Sequence, residues 1–217
     1  MGYRLRDGLS FCVTGNRAIF LDVAADRYFG LQPEKDLAFQ RLLQGKAPGA
    51  ALASLVGGGI LVEDEGAAGL PQPVTVARAT RELALNLDAA CWKYRFAFLY
   101  AHIRAIARLR FCDFGTVVEQ IERRSRAADV KATASQREWT ALASSFAAAT
   151  WLLPRSGQCL PRSIAFFEVL LSTGYRAKLV IGVSASPFSA HCWVQADDLV
   201  LNDRLEHIRP FEPILAI

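Results

Sequence analysis

Short apolar runs separated by turn residues open the chain, and this pattern predicts strands. Leu9 to Val13 is one run and Arg17 to Val23 a second, with Thr14-Gly15-Asn16 as the turn between them. A third run, Arg27 to Leu31, follows Ala25-Asp26. The spacing then turns helical. Pro33 opens a helix carrying Leu37, Phe39, Leu42 and Leu43, and Gly45 closes it. A second helix is expected over Pro48 to Val56, broken by Gly57-Gly58-Gly59 before the strand-like Ile60-Leu61-Val62. Residues 1–65 therefore read as a small β-sheet with a helical wing, and the Pro/Gly-rich stretch 66–74 as a linker.

Residues 75–153 read almost entirely as helix. Leu83, Leu87 and Ala90 begin an apolar stripe that Trp92, Phe96, Leu99, Ile103 and Ile106 continue at spacings of three and four. Such a stripe predicts the packed side of a helix. A further helix is expected from Thr133 to Leu153, with Trp139, Leu142, Phe146 and Trp151 in its core. The last third changes character. Cys159 to Ser172 is an amphipathic helix with Pro161 in its first turn and Gly174 after its end. Strand-like runs follow at Arg176 to Val183, Ala190 to Gln195 and Leu199 to Asp203. The fold class is α+β: a winged-helix-like N-terminal unit, a helical middle and a C-terminal unit over 75–217 with an antiparallel sheet.

Composition narrows the function classes. Hydrophobic residues make up 52% of the 217 residues and charged ones 21%, which is the balance of a packed globular protein. The net charge is +4 and the arginines are dispersed, so no nucleic-acid patch is indicated. The five cysteines, Cys12, Cys91, Cys112, Cys159 and Cys192, are odd in number and form no CxxC pair. That speaks against a disulfide framework or a zinc knuckle, and it fits the cytoplasm; no metal or cofactor is expected. The apolar stretch Trp92 to Phe111 carries Lys93, Arg95, His102, Arg104, Arg108 and Arg110, too many polar groups to span a bilayer.

One set of residues carries chemistry. Cys159 stands at a helix N-terminus, where unpaired backbone N–H groups and the dipole stabilise a thiolate and can bind an oxyanion. His191 lies in the strand AHCWVQA, so His191, Trp193 and Gln195 share one face and Ala190, Cys192 and Val194 the other. Asp203 comes twelve residues after His191. A three-residue loop, Ala196-Asp197-Asp198, would place Asp203 opposite His191 on the same face, whereas a two-residue loop at Asp197-Asp198 would turn them apart. The order suggests Cys159 as nucleophile, His191 as base and Asp203 as its orienting carboxylate, with Trp193 as a wall of the substrate cleft. Cys192 faces away from His191 and lacks a helix dipole. His102 and His207 stand in no motif with a nucleophile.

The segment from Cys159 to Asp203 resembles the transglutaminase-like cysteine peptidases of lasso-peptide biosynthesis. The resemblance is carried by C-L-x-R-S at Cys159–Ser163, I-G-V at Ile181–Val183, P-F-x-A-H-x-W at Pro187–Trp193 and L-N-D at Leu201–Asp203. The N-terminal stretch FLDVAADRYFGLQPE is similar to the small winged domains, of the pyrroloquinoline-quinone D type, that hold leader peptides of ribosomally made precursors. Joined in one chain, the two look like a fused lasso B protein. The resemblance implies a leader peptidase: it binds a precursor's leader along Arg27, Tyr28, Phe29, Gly30 and Leu31 and cuts leader from core. It also implies an ATP-dependent cyclase of asparagine-synthetase type as partner, acting on the freed core. An acyltransferase of the transglutaminase or arylamine acetyltransferase type shares the Cys-His-Asp centre, and a protein that only presents the precursor is a third reading.

Overall fold

The computed structural model describes residues 2–47, 49, 51–64, 69–129, 134–151 and 157–217. The expected N-terminal strands form: β2 (Leu9–Thr14), β3 (Arg17–Asp22) and β4 (Arg27–Gly30) make an antiparallel sheet in the order β2-β3-β4. Helices α1 (Pro33–Leu43) and α2 (Ala51–Gly57) form the wing, and the residues just before α2 lie partly outside the described set. The sequence pattern missed β1 (Gly2–Leu5), which pairs antiparallel with β5 (Leu61–Asp64) and closes the wing's far side.

Strand alternation sends the two faces of the three-stranded sheet into different cores. Phe11, Phe20 and Phe29 meet Phe39, Leu42, Leu55 and Leu61 of the wing. Cys12, Ile19, Leu21 and Tyr28 face the other way, into the core of the C-terminal unit. There β2 and β3 pack on the C-terminal strand β10 (Glu212–Ala216). The N-terminal sheet is thus sandwiched between wing and C-terminal unit, and the linker alone does not hold the halves together.

Residues 75–91 depart from the helical expectation. They hold no α-helix, form the two-residue strand β6 (Arg81–Glu82) and make one 3₁₀ turn over Leu87–Ala89. Val74, Thr75, Val76 and Thr80 are β-branched and disfavour helix, and of the three alternate leucines only Leu83 is buried. Helix begins at α3 (Trp92–Phe111) and continues with α4 (Phe114–Ala127), α5 (Gln136–Thr150) and α6 (Cys159–Ser172). A capping box between Ser135 and Glu138 starts α5.

The side of α3 that packs is not the expected one. Phe98, Ala101 and Ala105 face α5 and α6, with Phe98 against Phe146 and Phe166. Trp92, Phe96, Ile103 and Ile106, expected in the core, are exposed. Helix α3 is apolar on two sides, and the alanines let it approach α6 more closely than the bulky stripe would.

Five strands form the C-terminal sheet in the order β10-β7-β8-β9-β6, with β7 (Lys178–Ala185), β8 (Phe188–Ala196) and β9 (Leu199–Val200). All its pairs are antiparallel except β6–β9, which is parallel. Helix α6 packs against β7 and β8. On its far side the Glu168 side chain, 8% exposed, is ion-paired to the half-buried Arg108 and to Arg124, the latter at 3.2 Å. Glu168→Gln strands the Arg108 charge and is expected to lower stability in urea unfolding by about 3 kcal/mol. An unchanged midpoint would show that the pair holds nothing.

Candidate active site

Cys159 is the first residue of α6, and no side chain caps that helix end, so its leading N–H groups are available to the thiol and to an incoming carbonyl oxygen. His102 of α3, 4% exposed, bonds the Pro161 carbonyl and so braces the same turn; burial and the Arg162 charge hold its pKa below the usual imidazole value.

His191 sits in the middle of β8, paired with Gly182 of β7. Alternation is as the sequence required: Cys192 is buried in the core that α6 shares, and His191, half-buried, lies on the other face with Trp193. The imidazole packs beside Phe211, ring centroids 5.2 Å apart, and next to Trp193, with which it is stacked at 6.3 Å. Gly182 makes room for this group, because a Cβ there would lie 2.8 Å from the Trp193 ring and 2.9 Å from the Phe211 Cβ. Trp193 therefore corrects an expectation. It is 2% exposed, its indole N–H donates to Gln195 Oε1 at 2.8 Å, and it packs with Val180, Val200 and Ile208 rather than lining the cleft.

His191 Nε2 is hydrogen-bonded to Asp203 Oδ2, which leaves Nδ1 for the Cys159 thiol, to which the ring is also bonded. The contact is reached by a route the sequence reading excluded. The β8–β9 connection is the two-residue loop Asp197-Asp198, with Gln195 opposite Val200 and Ala196 opposite Leu199. Continued as a strand, this register would turn Asp203 away. The chain instead leaves strand geometry after Val200 and bends through Leu201–Asp203. Asn202 marks the departure: its side-chain Oδ1 accepts from the Val194 N–H at 2.7 Å, and its Nδ2 donates to Ser163 Oγ at 2.9 Å. Ser163 Oγ in turn donates to the Cys192 carbonyl at 2.8 Å. One buried network thus ties α6, β8 and the Asp203 segment together. Ser163 and Asn202 were visible only as letters within the family-like motifs, because a side chain standing in for a ladder carbonyl has no periodic signature. Asp198 is occupied elsewhere, ion-paired to Arg81 at 2.6 Å.

Asp203 Oδ1 accepts from the Arg204 N–H at 2.7 Å and is bonded to His207 Nδ1 at 3.0 Å. His207, read from sequence as remote from the chemistry, therefore touches the carboxylate that orients the base. It does so from α7 (Leu205–Ile208), one helical turn past Asp203.

The electrostatics follow from this geometry. The bond from His191, together with its charge and the N–H groups of Cys192 and Leu160, outweighs burial and holds the Cys159 thiol below its ordinary 9.0. Burial alone would lower the His191 pKa, but its bonds to Asp203 and Cys159 and their charges raise it to about 9. Burial foremost, with the Cys159 charge, pushes Cys192 far up, so it is no rival nucleophile. The thiol thus ionises below the pH at which the imidazole gives up its proton, and the pair is thiolate and imidazolium between those two limits. Alkylation by iodoacetamide is expected to rise with a midpoint below 9.0, and any acyl-transfer turnover to decline as pH passes about 9. A Cys159 alkylation midpoint at or above 9.0 would show that no ion pair forms.

The three residues open onto a cleft of about 710 Å³ whose other walls include Glu82, Leu85, Phe146 and Glu206. A helix-borne thiol, a strand-borne imidazole and a buried carboxylate behind it make a centre for attack on an acyl carbon. The family model described as the transglutaminase-like superfamily matches residues 102–216, more than half of the chain and the whole of this centre. The chain belongs to the transglutaminase-like superfamily. Cysteine-dependent catalysis is general in that superfamily, and in this member the cysteine is placed for it. No curated protein and no solved structure matches the chain. Among the described residues no helix is long and apolar enough to cross a membrane.

Proposed function

We propose that this transglutaminase-like chain is a leader peptidase, which binds the leader of a ribosomally made lasso-type precursor and hydrolyses the bond between leader and core. One observation carries the reading: the edge strand β4 of the N-terminal unit lies against the catalytic hairpin. The Tyr28 ring is 5.5 Å from Phe188, three residues ahead of His191 in β8. Burial, foremost, and the nearby Asp26 and Cys159 charges raise Tyr28 to about 12, so its hydroxyl stands in the field of the catalytic thiol.

An edge strand offers unpaired N–H and C=O groups, and an extended leader added there gains backbone bonds. Among the described residues β4 pairs only with β3. Arg27 and Gly30 are exposed, Tyr28 and Phe29 half-buried, and Leu31 sits past the strand in the wing core. Leu55 and Leu61 are also in that core, so Leu52, half-buried, remains for the groove wall. A leader on β4 would reach Cys159 within a few residues, and the cleft beyond would take the start of the core. Cys159 thiolate attacks the carbonyl carbon, His191 protonates the leaving amine, and water then releases the acyl group. The core leaves with a free amine, the substrate that an ATP-dependent cyclase of asparagine-synthetase type requires.

Weighing the products of incubation with a precursor tests the reading. Two fragments summing to precursor plus water support hydrolysis. Acyl exchange onto an added amine would replace it with a transferase, and an unchanged mass with a presenting protein. Gly30→Pro, which deletes a backbone donor from β4, is expected to weaken the affinity for a labelled leader about tenfold while leaving Cys159 alkylation unchanged. An unaltered dissociation constant in the folded variant would move the leader to another surface.

A further inference from the structure

The outward side of α3 is a continuous apolar strip on the surface. Trp92, Phe96, Tyr100 and Ile103 recur at spacings of four, four and three and are 64–71% exposed. Phe111 extends the apolar surface at the helix end, itself exposed. From Trp92 to Ile103 the strip runs about 17 Å along the 20-residue helix. Isolated exposed apolar residues are ordinary, but an aligned set with three aromatic rings marks a contact surface.

The charge on the helix itself has one sign. Helix α3 contains no Asp or Glu. At 100° per residue, Lys93 and Arg104 flank the strip on one side, Arg95 on the other, and Arg110 closes its C-terminal end. None of these four makes an ion pair among the described residues; Arg104 lies over the Tyr100 ring, 5.6 Å from its centroid. A second copy of the chain is a poor occupant, because pairing two such faces brings like charges together. A negatively charged layer with an apolar interior beneath it satisfies both features at once. Trp, Tyr and Phe rings enter the headgroup boundary while the flanking cations meet lipid phosphates.

We propose that α3 is a membrane-surface helix by which the protein docks on anionic lipid, lying in the interface without crossing it. The proposal is independent of the substrate reading, since it uses no residue of the cleft or of β4. Docking would hold the enzyme at a surface rather than in bulk solution, with the cleft-bearing α6 on the opposite side of α3.

Co-sedimentation of the full chain with vesicles tests this. Vesicles of phosphatidylcholine with about one-third phosphatidylglycerol should carry the protein down, and pure phosphatidylcholine vesicles should bind it about tenfold more weakly or less. Raising the salt to about 0.5 M should release much of it. Phe96→Gln with Ile103→Gln keeps good or adequate helix formers at exposed sites, so the fold is retained, and should cut the partition coefficient about tenfold or more. Lys93→Glu with Arg104→Glu should abolish the preference for anionic vesicles. Protein that stays in the supernatant with both vesicle types overturns the proposal. So does sedimentation that both double variants leave unchanged, which would place lipid binding on another surface. Self-association that the Phe96/Ile103 pair abolishes, without any vesicle binding, would assign it to a second copy.

Discussion

On the proposed leader-peptidase reading, Cys159→Ala should reduce precursor cleavage by at least about 10⁴-fold and leave leader affinity where it was. The size follows from the way the three residues act as a unit. On the proposed mechanism the Cys159 thiolate forms the acyl bond, and without it His191 and Asp203 have nothing to activate. Cys192 cannot substitute: it is buried on the far face of β8, and burial keeps its thiol protonated. The leader should be indifferent to the change, because β4 and Cys159 belong to different elements and Cys159 is only half-buried. Cys159→Ser keeps the shape but loses the low pKa and should fall nearly as far. The measurement is single-turnover cleavage by mass alongside leader binding by fluorescence anisotropy. Retained cleavage in Cys159→Ala would mean another nucleophile. Lost cleavage together with lost leader affinity would mean a folding defect, which thermal melting would reveal.

The centre was legible in the sequence where local rules set it. Cys159 could be placed at a helix start because Pro161 and the amphipathic run after it have a local cause. His191 could be placed on a strand face because alternation is local too. The His191–Asp203 contact was foreseen, but through a three-residue loop that does not exist. The actual two-residue loop and the bend after Val200 depend on Asn202 reaching Val194 and Ser163, both distant in sequence, and no window of residues reports that. His207 was set aside for the same reason: its role exists only once α7 turns it back on Asp203. Helix α3 shows a different limit. Two of its sides are apolar, and spacing alone cannot say which of them finds a partner. The alanines at 101 and 105 decided it through close approach, a property of the pair of helices and not of one. At the N-terminus the strands β2, β3 and β4 were placed by their apolar runs and the turns between them, but not that both faces of their sheet would be buried.

Asp203→Asn is the sharper probe of how the base is held, and it should lower turnover about 10²–10⁴-fold with little change in melting temperature. An amide has the shape of the carboxylate, so the fold has no reason to change. What changes is which end faces the ring. At one oxygen, Oδ1, Asp203 is clamped by the Arg204 N–H and by His207. Two donors at that position favour the amide oxygen there, which turns the amide NH₂ toward His191 Nε2. A donor facing Nε2 forces the ring proton onto Nδ1, the nitrogen that serves the thiol, and a protonated Nδ1 on a neutral ring cannot accept the thiol proton. The charge that helps raise His191 to about 9 is lost as well, so the alkaline limb of the pH profile should move down. His207→Ala leaves the carboxylate and its Arg204 bond in place and should cost less than about tenfold, since His207 is 65% exposed and contributes one bond of several. If Asp203→Asn turned over at near the parent rate with an unshifted alkaline limb, Asp203 would be a structural cap on α7 and the base would be held by its packing against Phe211 and Trp193 alone.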